Sequence, residues 1–150
     1  MPQSLSRVVV HITFSTADRK PFLIKKEDQQ SLHKYVATTL NTLECPAIIV
    51  GGVEDHIHIL CNLSRKIAVM TLLEEVKTSS SKEMKKGLGI TDFYWQGGYG
   101  IFSVSESNVP QVRGYIGNQE EHHKKMTFQD EYRILCQKHG VKIDERYVWE

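Results

Sequence analysis

AIIVGGVEDHIHILC, residues 47–61, is the stretch that decides the fold. Ala47–Val50 and His56–Cys61 are short runs rich in β-branched residues, and Gly51-Gly52-Val53-Glu54-Asp55 between them supplies a turn. The pattern predicts a hairpin. Along its second arm, alternation sends His56 and His58 to one face and Ile57, Ile59 and Cys61 to the other. One face of the predicted sheet is therefore apolar, and the other carries two imidazoles.

Working outward, Arg7–Phe14 (RVVVHITF) is β-branched and aromatic and reads as a central strand. From Lys25 to about Leu43, Leu32, Tyr35, Val36, Leu40 and Leu43 recur at helical spacing and predict a first amphipathic helix. On the other side of the hairpin, a second helix is expected from roughly Ala68 to Lys86, with Met70, Leu73, Val76 and Met84 near one side and Gly87 and Gly89 stopping it. Within FYWQGGYGIFSVS, residues 93–105, a glycine turn precedes a strand over about Ile101–Val104. Asn108 and Pro110 suit the opening of a helix from about Val109 to Lys125, and Thr127 with Asp130 resembles a capping box that opens a last helix ending near Gly140. The order β α β β α β α α predicts an α+β fold: a ferredoxin-like, RRM-like antiparallel sheet with helices packed on one face.

A chain of 150 residues is one ordinary domain, so residues 1–150 are expected to fold as a single unit. Hydrophobic residues at 40% and charged residues at 25% disfavour disorder and coiled coil. No apolar run approaches the length of a membrane span, and MPQSLSRVVV lacks the layout of a signal peptide, so a cytoplasmic location without a membrane partner is expected. Cys45, Cys61 and Cys136 are odd in number and form no C-x-x-C, which argues against a disulfide framework or a thiolate zinc site. With 19 Lys plus Arg against 18 Asp plus Glu, bulk charge draws in no polyanion, and any nucleic-acid contact must be local. Lys77, Lys82, Lys85 and Lys86 on the second helix are candidates to track DNA phosphates, or else form a solvated face.

Two histidines two positions apart on a strand suit two ligands of one metal, and a third ligand has to come from elsewhere; otherwise they are sheet surface. In VRGYIGNQEEHH, residues 112–123, Tyr115 and Gln119 are four apart and project from one side of the expected helix. Gly114 and Gly117 each cost about 1 kcal/mol in a helix relative to alanine, which points to close packing there. Taken alone, Tyr115 reads as a half-buried core aromatic. His122 competes as a third ligand, and His11 either lines the same sheet face or is a satisfied core histidine.

HITFSTADRKPF at 11–22, GGVEDHIHIL at 51–60, FYWQGGYGIFSVS at 93–105 and YIGNQEEHH at 115–123, in this order and spacing, resemble the HUH single-strand DNA transposases with one catalytic tyrosine. That family is encoded by small insertion sequences and by relatives associated with palindromic repeats, and the resemblance covers about residues 7–125. It implies a metal-dependent enzyme that cleaves and rejoins single-stranded DNA at hairpin-bearing element ends through a 5′-phosphotyrosine intermediate. Carried onto this chain, His56, His58 and Gln119 would bind one divalent ion, Mg or Mn, and Tyr115 would be the nucleophile. It also implies a homodimer, in which a tyrosine helix can serve the partner's metal. The alternative is a non-catalytic RRM-like nucleic-acid-binding module. It rests on the aromatic run Gly98–Val104 and leaves the H-x-H unexplained. A histidine-triad hydrolase would need histidine where Leu60 stands.

Overall fold

The computed structural model describes residues 2–150. Strands β1 (Val9–Ser15), β2 (Ala47–Val53), β3 (His56–Asn62) and β4 (Gly100–Val104) form one antiparallel sheet in the order β2-β3-β1-β4. With helices α1 (Lys26–Thr42) and α2 (Val69–Lys86) as the two crossovers, this is the expected ferredoxin-like arrangement. Leu32, Val36 and Leu40 of α1 and Leu72, Leu73, Val76 and Met84 of α2 close the main core against Val10, Ile12, Phe14, Ile57 and Ile59.

Both crossover helices lie on that one face. The remaining helices, α3 (Val109–Gly117), α4 (Gln119–His123) and α5 (Phe128–Lys138), add a second layer on the opposite face. There Ile116 of α3 packs on Val9 and Leu60, and Phe128, Tyr132 and Cys136 of α5 pack on Phe102. Because strand alternation aims His11, His56 and His58 to the same side as Val9 and Leu60, the imidazoles are sealed beneath α3–α5. The sheet face on which an RNA-binding module would stack bases is thereby covered: Phe102 lies under α5, and Tyr99 packs toward the α1 and α2 side.

Two local differences from the sequence reading shape the site. The hairpin turn is only Glu54-Asp55, because β2 continues through Gly51 and Gly52 to Val53. A Cβ on Gly51 would stand 2.7 Å from the Ile116 carbonyl oxygen, so glycine lets the α3 backbone approach β2. The helix expected from Val109 to Lys125 is broken at Asn118 (φ −111°, ψ 27°), which separates Tyr115 on α3 from Gln119 at the start of α4. The cap of α5 is as expected, with Asp130 N–H donating to the Thr127 hydroxyl oxygen at 3.2 Å. All three cysteines are free and buried.

Candidate active site

β3 delivers His56 and His58 fully buried, and each ring is held from behind. Asp55 Oδ1 accepts from His56 Nδ1 at 2.7 Å, and His11 Nε2 lies 2.8 Å from His58 Nδ1. His11 is thus the group that orients His58. Burial, then the neighbouring His58, holds its own pKa down at about 3. Burial also pushes His58 below the ordinary imidazole value, against the pull of a nearby carboxylate.

That carboxylate is Glu131 of α5, which is 1% exposed and which the sequence reading did not single out. Its Oε1 lies 2.7 Å from His58 Nε2, 3.5 Å from His56 Nε2 and 3.3 Å from His123 Nε2. Its Oε2 accepts from the Tyr115 hydroxyl and, at 3.2 Å, from Gln119 Nε2. Burial alone would raise the Glu131 carboxyl; the adjoining His123 and His58 rings outweigh it and hold the group far below the usual carboxylate range. His123 is moved up because Glu131 outweighs its burial. Burial, then the Glu131 carboxylate, keeps the Tyr115 hydroxyl above the ordinary phenol range. His122 stacks on the Tyr115 ring, with centroids 4.4 Å apart, and is absent from this convergence.

Tyr115, His56, His58 and Gln119 therefore meet within one chain, despite the break at Asn118. A cavity of about 280 Å³ opens beside Tyr115 between α3, α5 and β4, lined by Val112, Leu135 and His139 among others. The lysines lie elsewhere. α2 belongs to the layer behind the sheet, and Lys77 Nζ donates to the carbonyls of Gln96, Gly97 and Gly98. Burial lowers the Lys77 amine to about 8. Lys85 sits over the Tyr94 ring, while Lys82 and Lys86 are exposed.

The donor set suits a divalent cation. With Nδ1–H committed to Asp55, a neutral His56 ring offers a bare lone pair at Nε2, which faces Gln119 Oε1 at 3.0 Å. The contact is a hydrogen bond when His56 carries a proton at Nε2, and without that proton the two acceptors can share a cation. His123 Nε2 is buried with no hydrogen-bond partner, although it lies 3.3 Å from Glu131 Oε1. His56, His58, His123 and Glu131 each present a ligand atom, all within 4.8 Å of one another. Imidazole and carboxylate without thiolate fit Mg, Mn and similar ions.

Such a sheet, with an H-x-H facing a helix-borne tyrosine and glutamine, defines an HUH transposase with a single tyrosine. Residues 4–119 match the family model described as "Transposase IS200 like", and the chain belongs to that family. The fold is shared with a Deinococcus radiodurans protein assigned as a transposase, at 18% identity and a TM-score of 0.62 over 79% of this chain and 98% of that one. It is shared too with a REP-associated tyrosine transposase solved with a REP hairpin, at 13% identity and a TM-score of 0.52 over 79% of this chain and 68% of that one. No curated protein matches the chain. Among the described residues, no helix is long and apolar enough to cross a membrane.

Proposed function

We propose that this protein is a single HUH nuclease domain that cleaves and rejoins single-stranded DNA at hairpin-bearing ends. Tyr115 is the nucleophile, and His56, His58 and Gln119 hold one divalent cation, Mg or Mn. The observation that carries the reading is the convergence of the Tyr115 hydroxyl, both histidine Nε2 atoms and the Gln119 amide on a single buried point.

In the cutting step Tyr115 Oη forms a bond to phosphorus as the bond from phosphorus to the 3′-oxygen breaks. The phenolic proton leaves and the departing 3′-oxygen gains one, giving a 5′-phosphotyrosine and a free 3′-OH. The ester is exchanged rather than hydrolysed, so a later 3′-OH reverses the step and joins new ends without ATP. When bound, the cation supplies positive charge to the non-bridging phosphate oxygens. Asp55 and His11 fix the two imidazoles, and the layer of α3–α5 excludes water from them.

Hairpin DNA as substrate is supported by the neighbour solved with a REP hairpin. Cutting two ends calls for two sites, which a homodimer working in the cytoplasm would provide. Of the lysine candidates, exposed Lys82 and Lys86 are better suited to DNA phosphates than Lys77, whose amine is already engaged. The test is incubation of purified protein with Mn or Mg and a single-stranded hairpin substrate. A covalent adduct that survives SDS is expected. Tyr115→Phe abolishes it and leaves hairpin binding nearly unchanged, and His58→Ala removes metal-dependent cleavage. Adducts formed by the Phe variant would defeat the reading.

A further inference from the structure

Glu131 lies beyond the residues that match the family, on a helix whose apolar stripe Phe128, Tyr132 and Cys136 it interrupts. Burying a carboxylate is costly unless its oxygens are matched by positive or donating groups. The Oε2 side is matched, since Tyr115 and Gln119 both donate to it. The Oε1 side is matched by His58 alone. The Nε2 atoms of His58, His56 and His123 crowd it at 2.7, 3.5 and 3.3 Å, and only His58 is aligned as a hydrogen-bond donor. A neutral His56 ring, with Nδ1–H on Asp55, turns its Nε2 lone pair toward this anion.

A cation among them removes that conflict. Around an octahedral ion with bonds of about 2.1 Å, adjacent ligand atoms are about 3 Å apart and opposite ones about 4 Å. The separations of Glu131 Oε1 from His56 and His123, 3.5 and 3.3 Å, and of His56 Nε2 from Gln119 Oε1, 3.0 Å, fall in that range, while His58 Nε2 stands closer, at 2.7 Å. We propose that Glu131 is itself a ligand of the divalent cation, delivered by α5, with one carboxylate oxygen on the ion and the other holding the Tyr115 hydroxyl. The proposal rests on the cation reading of His56, His58 and Gln119 given above.

Two consequences follow. A carboxylate beside two imidazoles and an amide lowers the site's net charge to about +1 and shifts its preference toward hard ions such as Mg and Mn. Cation binding and docking of α5 must also favour each other equally, because the ion binds best when the helix is seated. α5, already docked in the structure, is then held more firmly in the loaded protein.

The experiment titrates Mn into the full chain by calorimetry, alongside hydrogen exchange of residues 128–138 with and without Mn. Three variants are compared: His58→Ala, Glu131→Gln and Glu131→Asp. Wild type is expected to bind Mn and to gain protection across 128–138. Glu131→Gln weakens Mn binding by about tenfold or more, since even partners behind the ligands are worth that much, and loses the Mn-dependent protection. Glu131→Asp, which keeps the charge, recovers part of both. Wild-type affinity and protection in Glu131→Gln would overturn the proposal while leaving the cation reading intact. Equal losses in Gln and Asp, with α5 amides already unprotected before Mn is added, would assign Glu131 to packing and overturn it as well. A folded wild type that binds no Mn, like His58→Ala, would overturn the cation reading and this proposal together.

Discussion

His58 on β3 and Glu131 on α5 stand 2.7 Å apart, yet the parts of the molecule that hold them differ in kind. β3 is paired on both edges, by β1 and β2, and its back face, Ile57 and Ile59, is fully buried in the main core. α5 is an 11-residue helix resting on a small cluster around Phe102, with Ile134 half exposed on its outer side. A helix of that length is marginal alone and exists because of what it docks on. The strand half of the site therefore keeps its shape regardless of ligand. The helix half keeps it only while a few side chains hold α5 down.

The comparison breaks first at Ile59. Ile59→Ala removes a fully buried side chain beneath the H-x-H and should cost about 3 to 4 kcal/mol of global stability in urea unfolding, lowering protection in β1, β2 and β3 together. A loss under about 1 kcal/mol would mean that the strand half is not the rigid one.

Acid is expected to have the next largest effect, and through the rigid half. His33 of α1 buries an Nε2 with no hydrogen-bond partner, and burial, with His56 nearby, holds its pKa down to about 4. An unfolded histidine titrates near 6.5, so the folded state binds this proton more weakly. Its contribution is whole above about pH 6.5 and drains away as pH falls toward about 4. Allowing for partial exposure, the loss is on the order of 2 kcal/mol. His33→Gln should flatten the fall in urea-measured stability across that window, and an unchanged slope would show that His33 is solvated.

The same division explains what the sequence disclosed. Strand alternation needs only neighbours along the chain, so the face shared by His56 and His58 was readable, as were the crossover helices, from their apolar spacing. The break at Asn118 was written too, in Gly117-Asn118, a pair suited to ending a helix, but the helical pattern around it concealed the stop. Glu131 left a fainter signal. An acidic residue in a first helical turn ordinarily answers the helix dipole, which is how Asp130 and Glu131 read side by side. Yet Phe128, Glu131, Tyr132, Leu135 and Cys136 follow the i, i+3, i+4, i+7, i+8 pattern of a buried face, and a carboxylate in that pattern has to meet something positive or donating. Which groups it meets depended on α5 folding back over a sheet face more than 70 residues away in sequence, information no local window contains.

The smallest expected effect separates the two halves most cleanly. Thr127 caps α5 by accepting from Asp130 N–H, and it is exposed, so Thr127→Ala removes the cap without touching the sheet or the site. Losing such a cap costs about 1 kcal/mol, a factor of roughly five in the opening equilibrium of the helix it starts. If α5 opens as a unit of its own, amide exchange across 128–138 should quicken by about that factor while exchange in β3 stays at the wild-type rate. If both quicken equally, α5 opens only when the whole domain unfolds, and Glu131 is then as firmly part of the site as the histidines it faces.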